Sequence, residues 1–449
     1  MKISILSVFP DLYCPFLDTS LIKRAQEKKL VSFDLADFFS FVAPKERIDA
    51  PTFGHGAGML IKPEVIEKAI EAKEAAHGKA YKIFFSPHGK KIDQEYLRTL
   101  AKALENVDHV MLVAARYEGM DARVEEKYAA EVLSLGDYVL MGGDLPAMVL
   151  LEGVLRLLPG VVGKQESVEM DSFSGALVDY PEYTEPVTWQ GKKVPDVLRS
   201  GDHAAISTWR FDQAWERTLL GHFDWFRSRD LSDQLKKEAL ERIPNHYVAL
   251  MHNDVITGDG DRVGTTSVTS LDMHDIARSA KTYGIKHYYI VTQLLDQQKI
   301  VRKLLDFWQT GSGVEYNASR HSAVKQVDVI SSFDQVLEEI EKKEGVKPLV
   351  IATSARLTDH PGQITFHDQG RVWSHNRPIL LIFGTGKGLS QSILDRCDFL
   401  LVPVEGMTNY NHLSVRSAVA VILDRWLGLN IGSHALLVRR AFGIDNDKK

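Results

Sequence analysis

At 449 residues the chain has length for about three domains of roughly 150 residues each, with more than one sizeable core. Hydrophobic residues at 44% and charged residues at 25% place it among ordinary soluble globular proteins. A net charge of −6 excludes the global basic field that announces nucleic-acid binding, so no DNA partner is expected and any RNA-binding surface has to be a local patch.

The opening "KISILSVF" reads as a short strand running into Pro10, and its single preceding Lys and short apolar run do not make a signal peptide. No apolar run approaches the ~20 residues of a membrane span. The cysteines, Cys14 and Cys397, match no zinc, CxxC or disulfide spacing, and are expected to be buried small apolar residues of a cytoplasmic protein. "KPEVIEKAIEAKEAAHG" has helical spacing closed by Gly78, "YKIFFSP" is strand-like, and "DQEYLRTLAKALENV" is helical again. "HVMLVAARY" and "EVLSLGDYVLMGG" are further strand-like runs, followed by the helix "LPAMVLLEGVLRLLPG". Strands apolar almost throughout, alternating with helices, predict an α/β fold with a parallel sheet covered on both faces.

From Val161 to Lys193 the periodicity stops, leaving an irregular segment with acids, Pro and Gly, either a linker or a functional loop. A polar helical section follows, "VLRSGDHAAISTWRFDQAWERTLL" and "SDQLKKEALERI". At His246 the alternation restarts and ends in "HLSVRSAVAVILDRWLG", a helix apolar nearly all round and so expected to be buried in a core or a subunit interface. The expected organisation is 1–160, an α/β domain; 161–193, a loop; 194–245, a helical domain; 246–442, a second α/β domain; and 443–449, a tail.

In open parallel sheets, ligands sit beyond the carboxyl ends of the strands. The turns there are "FFSPHGKK", "AARYEGMDARV" and "LMGGDLPAM" in the first half, and "IATSARL", "IFGTGKGLS" and "VPVEGMTNYNHLSV" in the second. Familiar glycine motifs fail on them. A P-loop is excluded because Leu381 stands where its first Gly belongs and Gly388 follows Lys387. A dinucleotide fingerprint is excluded because Gly384 and Gly386 are followed by Leu389, and an EF-hand in "DGDRVG" because Val263 and Ser270 occupy carboxylate positions. A Gly-Gly turn instead lets the backbone approach a flat ring edge, with Leu145 and Pro146 as an apolar wall, which suits adenine with a polar tail. Plain connection of two elements is the simpler reading of any one such turn.

The residues also carry a resemblance. "ISILSVFPDLY", "FGHGAGML", "FFSPHGKK", "ARYEGMDARV", "SLGDYVLMGGDLPAM", "RLLPGVVG", "DSF", "YPEYTEP" and "VPDVLRSGDHAAISTWR" occur in the order in which they stand in the bacterial tRNA (guanine-N1)-methyltransferase family, TrmD, of the SPOUT superfamily, which the first ~245 residues resemble. The resemblance implies a trefoil-knotted SPOUT fold, a homodimer with an active site built from both copies, and S-adenosylmethionine held by Ser86, Pro87, Tyr117, Glu118, Gly119, Leu135, Gly136, Tyr138, Leu140, Gly142, Gly143 and Pro146. It implies methylation of tRNA at N1 of guanosine 37, next to the anticodon, with Asp171 as general base and Arg156 stabilising charge on O6. The neighbouring Glu166 and Glu169 are read as solvated loop acids. Mg2+ dependence belongs to the same family, although no ligand cluster in the sequence shows where the ion would sit.

The chain departs from the family pattern at Ala115, where Gly is usual, at His88 for Gln, at Asp144 for Glu, and in "FGHGAGM". From about residue 246 it resembles a second SPOUT-like family of RNA methyltransferases through "ALMHNDV", "TSVTSLDMHDIARSAKTYG", "LIFGTGKGLS", "LLVPVEG" and "YNHLSVRSAVAVILDRWLG". The implied S-adenosylmethionine contacts there are Thr353, Gly384, Thr385, Gly386, Leu401, Pro403, Glu405, Gly406, Asn411, Leu413 and Ser414, again with a knot and a dimer. His252, Asn253, Asp254, Arg262, Arg320, His321 and Arg416 are polar residues available to RNA, with capping or solvated roles as the plainer reading; the same holds for "RSGDHAAISTWR" and "HALLVRRAF". The alternative function is that one or both halves bind cofactor and RNA without catalysis.

Overall fold

A computed structural model describes residues 1–163, 171–258, 262–311, 313–356 and 360–429. Glu166, Glu169, "HALLVRRAF" and the tail from residue 443 lie outside the described residues. The chain divides into two compact units, Met1–Gly175 and Ala176–Lys449.

The first unit is built on β1 (Lys2–Ser7), β2 (Ser32–Asp37), β3 (Tyr81–Lys91), β4 (His109–Val113) and β5 (Glu131–Ser134), in the order β2-β1-β4-β3-β5. Every pairing is parallel, for example Ile5 beside Leu35 on one side and Leu112 on the other. The strands are apolar throughout because both faces are covered. One face packs on α2 (Gln94–Leu104) and α3 (Asp144–Leu157) through Ile5, Leu100, Leu112, Leu150 and Val154. The other face packs on α1 (Pro63–His77) through Leu6, Val65, Ile66, Phe84 and Val113. Gly78 closes α1 at φ +85, a conformation that a Cβ would oppose.

Two expected turns differ. "FFSPHGKK" stays in β3 to Lys91, with a register shift against β5 between Phe85 and Lys90. Gly89 makes this fit, since a Cβ there would stand 2.7 Å from the Leu133 backbone. In "EVLSLGDYVLMGG" the strand stops at Ser134, and Tyr138 N–H turns back to the Gly136 carbonyl at 2.9 Å, so the apolar run from Tyr138 to Met141 is loop, not strand. Cys14, expected inside, is exposed on the turn of helix that points Tyr13 and Leu17 inward; Cys397 is buried, and burial pushes its thiol up to about 12.

In the second unit, α4 (His203–Gly221) and α5 (Asp233–Arg242) pack Trp215, Leu219 and Ala239 into the core of the α/β part, so the polar helical section has no separate core. The sheet comprises β6 (His246–Met251), β7 (His287–Val291), β8 (Val327–Ile330), β9 (Leu349–Thr353), β10 (Gln363–Ile364), β11 (Ile379–Gly384) and β12 (Phe399–Leu401). Its order is β8-β7-β6-β11-β9-β12-β10, all parallel. α6 (Ser270–Thr282), α7 (Leu295–Gln309), α8 (Phe333–Glu344) and α9 (Val415–Leu427) include the helices that cover it. α9 buries Val419, Ile422, Leu423 and Trp426, and packs the partly buried Val415, Ala418 and Leu427 against the same core.

At the start of β6, His246 is buried with Nδ1 2.7 Å from the Pro244 carbonyl, while Nε2 accepts from the indoles of Trp373 and Trp426 at 3.3 and 3.1 Å. Only the neutral Nδ1–H tautomer satisfies all three contacts, and burial pulls the imidazole down to about 4. Among the described residues no helix is long and apolar enough to cross a membrane.

Candidate methyl-transfer sites

In the first unit the turns after β4 and β5 lie at the carboxyl ends of their strands, on either side of the irregular part of β3 that carries Ser86 and Pro87. The turns after β4 and β5 are pressed together. Gly143 N–H donates to the Ala115 carbonyl at 2.8 Å, and a Cβ on Gly142 would meet Arg116 Cδ at 2.6 Å and the Ala115 oxygen at 2.8 Å. Only glycine at 142 permits this approach without displacing the neighbouring chain. Tyr117 adopts φ +61, a strained choice for an aromatic residue, and Gly119 φ +116. Around them Tyr117, Glu118, Tyr138 and Leu140 are exposed, Ser86, Gly119, Leu135, Gly136 and Gly142 are half-buried, Pro87 is exposed, and Gly143 and Pro146 are buried.

What locks the two turns together was not foreseen from sequence. Asp144, only 2% exposed, accepts from Ser7 Oγ at 2.5 Å, from Tyr13 Oη at 3.1 Å, and from Arg116 Nε at 2.8 Å. Arg116 also lies over the Phe9 ring at 4.8 Å. The buried acid therefore ties β1, the turn after β4 and the start of α3 to one point, and burial with the neighbouring Asp144 charge holds the Tyr13 hydroxyl far above its ordinary range. The available signal was an acid directly after Gly-Gly at a helix start, with an arginine inside "ARYEG". Ala115 is buried and His88 bridges Ser86 Oγ at 2.7 Å and Glu125 at 2.8 Å, so both departures from the family pattern are accommodated locally.

Arg156 and Asp171 form a two-pronged pair, Nε to Oδ2 and Nη2 to Oδ1, both at 2.8 Å. Both are partly exposed, at 42% and 31% of their side chains, so solvent and an incoming base have access. At a rise of ~1.5 Å per residue, α3 separates Arg156 from the glycine turn by about 20 Å. Within one chain, the acid–guanidinium pair and the glycine turn thus occupy opposite ends of one helix.

The second unit has a cavity of about 990 Å³ at the carboxyl end of its sheet. Seven of the anticipated contacts line it: Thr353, Gly384, Thr385, Gly386, Asn411, Leu413 and Ser414. The cavity's lining does not include Leu401, Pro403, Glu405 or Gly406; Leu401 is 1% exposed with its side chain in the core, Pro403 is buried, and Glu405 and Gly406 are exposed. Gly386, at φ +62, lies so close to the chain that a Cβ would stand 2.6 Å from the Ile256 oxygen. Thr385 Oγ1 donates to the Met251 carbonyl at 2.8 Å and meets Thr266 Oγ1 at 2.5 Å. His252 is fully buried beneath this turn, Nδ1 3.1 Å from Thr266 Oγ1, and burial pulls it down to about 4. Asn253 bonds Asp254, while Arg320 lies over Trp308 and His321 bonds the Trp308 carbonyl. Of the polar residues singled out in this half, Arg416 alone lines the cavity, joined there by Thr266, Thr269 and Asp272. Those three were missed, although "TSLD" at 269–272 is a capping-box pattern that brings an acid to the first turn of α6. Among the described residues no cluster of three or more His, Cys, Asp or Glu side chains could hold a metal ion.

Comparison with known proteins also finds two parts, but the first runs on past Gly175 into the sequence of the second compact unit. Residues 1–228 match the family described as tRNA (Guanine-1)-methyltransferase TrmD, and residues 245–428 one described as SAM-dependent RNA methyltransferase. A protein of Oleidesulfovibrio alaskensis named tRNA (guanine-N(1)-)-methyltransferase is 37% identical over 95% of this chain and 99% of its own length. Relatives bearing that name in Anoxybacillus flavithermus and Deinococcus radiodurans are 40% and 42% identical, over 53% and 52% of this chain and 96% and 83% of their own lengths. The chain belongs to the tRNA (guanine-1)-methyltransferase TrmD family, and carries a SAM-dependent RNA methyltransferase family domain in its second half.

Proposed function

We propose that the protein methylates tRNA at N1 of guanosine 37, next to the anticodon, with Asp171 as the base and Arg156 stabilising O6, and works in the cytoplasm. S-adenosylmethionine, when bound, supplies an electrophilic methyl group on a sulfonium. The tight seating of Gly142 and Gly143 against residues 114–116, with Tyr138 and Leu140 exposed beside it, supports a site for such a ligand at this turn. The close passage of residues 142–143 against 114–116 supports threading as a trefoil knot.

Guanine N1 holds a proton at neutral pH and is a poor nucleophile until it leaves. Asp171 can take that proton, a role typically worth on the order of 10²–10⁴-fold. On doing so it loses its charge and its hold on Arg156. The guanidinium, already oriented by two bonds, is then available to the negative charge growing on O6. The pair thus switches partners as charge moves from carboxylate to base.

The length of α3 between this pair and the glycine turn supports a homodimer in which Asp171 of one copy serves the cofactor of the other. For tRNA contact, Tyr180, Tyr183, Arg199 and Arg210 line a cavity of about 360 Å³ in the second unit, with Arg210 over the Tyr180 ring at 4.8 Å, a combination suited to bases and phosphates. The second unit is proposed to bind a further S-adenosylmethionine in its large cavity. No residues are assigned to Mg2+.

The observation that carries the reading is the Asp171–Arg156 pair in a half-chain matched throughout by the family. Its test is nucleoside mass spectrometry of unmodified tRNA incubated with the full-length protein. Asp171→Asn is expected to lower 1-methylguanosine formation at position 37 by at least ~10²-fold with cofactor affinity retained. Undiminished product would remove Asp171 from the mechanism.

A further inference from the structure

In the second unit a glycine turn and an acid–guanidinium pair share one chamber. The cavity of about 990 Å³ is bounded by the Gly384–Gly388 turn, by Thr269 and Asp272 on α6, and by Arg416 on α9. That volume stands at the top of the ~300–1,000 Å³ range of ligand pockets, room for a cofactor together with a nucleobase. Asp272 is the single carboxylate among the described lining residues and is 7% exposed. Its Oδ2 accepts from the Thr269 hydroxyl at 2.6 Å and its Oδ1 from Arg416 Nη1 at 3.2 Å. Each oxygen keeps a lone pair for another donor. Helix capping accounts for the Thr269 contacts; it does not account for Arg416, which reaches over from a different helix. Arg416 also lines an adjoining groove of about 450 Å³ with Asp275, Arg278, Ser279, Thr282 and Ser417; Asp275 stands 3.7 Å from Arg416 Nε, which leaves Arg278 and the hydroxyls as the groups suited to a phosphodiester.

We propose that this chamber is a second methyl-transfer site, complete within one copy, for an RNA base with a ring N–H beside a carbonyl, the chemistry of guanine N1 and uracil N3. This rests on the second unit binding S-adenosylmethionine, as proposed above. The ring proton passes to Asp272, and the electron pair left on nitrogen forms the bond to the methyl carbon. The carbon–sulfur bond breaks with its pair retained by sulfur, so the sulfonium and carboxylate charges vanish together. Arg416 meets the charge growing on the carbonyl oxygen, and Arg278, Ser279 and Thr282 hold the flanking phosphate. A ribose hydroxyl is the poorer acceptor here, because a carboxylate is too weak a base to draw its proton efficiently.

The test uses full-length protein carrying Asp171→Ala, which silences the first site, and total RNA from Anoxybacillus flavithermus, whose relative matches only the first half of this chain. Methyl transfer is followed by radiolabel and nucleoside mass spectrometry, cofactor binding by calorimetry, and RNA binding by filter retention. The expected result is continued methylation at a ring nitrogen, lost by on the order of 10²-fold or more when Asp272→Asn is added, with two cofactor-binding events preserved. Arg278→Glu is expected to weaken RNA retention and raise the RNA KM about tenfold without changing cofactor affinity. No methylation by the Asp171→Ala protein, undiminished methylation with Asp272→Asn, methylation on ribose, or loss of the second cofactor-binding event with Asp272→Asn would each overturn the assignment. Product at guanosine 37 is scored separately on unmodified tRNA, so persistence of that product with Asp171→Ala refutes the first-site base and leaves this one standing. A single cofactor-binding event in the unsubstituted protein refutes both the second cofactor site and this inference.

Discussion

Replacing Asp144 by Asn keeps the shape of the side chain and removes its charge at the point where β1, the turn after β4 and α3 meet. An Asn oxygen can still accept from Ser7 and Tyr13, but its amide nitrogen then faces Arg116 Nε, donor against donor, 2.8 Å away in the native arrangement. Breaking a buried pair typically costs ~3–5 kcal/mol, and because the Arg116 side chain is 20% exposed the lower end applies, about 3 kcal/mol. Arg116→Met is expected to cost a similar amount, since it strands the carboxylate. The double variant should lose less than the sum by about 2 kcal/mol, because neither charge is then left alone. A two-unit chain need not unfold in one step, so stability is read by hydrogen exchange of peptides from residues 1–175 at rising urea. For an urea dependence of ~2 kcal/mol per M, each single variant should lower the midpoint by about 1.5 M. Losses that add to within about 0.5 kcal/mol would refute the coupling and with it the idea that this pair clamps the two turns.

Two further outcomes are expected. Gly386→Ala, at φ +62 and with the Ile256 oxygen 2.6 Å from the new Cβ, should weaken cofactor binding to the second unit at least about tenfold by calorimetry while leaving the first site unchanged; equal binding would show that this turn does not hold the ligand. The second unit should lose stability as pH falls, because His246 and His252 stay neutral in the fold down to about 4 while the unfolded chain takes up protons from about 6.5. Their contribution is fully present above pH ~6.5 and declines from there towards about 4. His246→Gln should be less stable at pH 7 and show a shallower acid dependence in urea titrations; an unchanged slope would contradict the buried neutral imidazole.

The sheets were legible because a strand covered on both faces must be apolar throughout, as "HVMLV" is, and because Gly78 marks a helix end by its positive φ. Where the reading slipped, local composition and tertiary surroundings disagreed. "DYVLM" has the content of a strand but runs past the last hydrogen-bonded position of its sheet, and "SPHG" has the content of a turn but is accommodated inside a strand by Gly89. The partners of Asp144 lie at residues 7, 13 and 116, a convergence that no spacing rule encodes. Asp171 and Arg156 could be named in advance only through resemblance to a family; their two bonds to each other emerged from the fold. Asp272 was not named in advance at all, and its hydrogen bond to Arg416, 144 residues away, emerged from the fold alone.

The central claim, that Asp171 serves a cofactor held by another copy's glycine turn, is tested most directly with a heterodimer. Full-length chains carrying Asp171→Asn and Gly142→Trp are co-expressed with different tags, and the mixed species is isolated and assayed on unmodified tRNA. Each parent homodimer should be inactive at guanosine 37, whereas the mixed dimer, having one site with both parts intact, should recover about half the activity of the unsubstituted dimer. A mixed dimer as inactive as its parents would contradict the account.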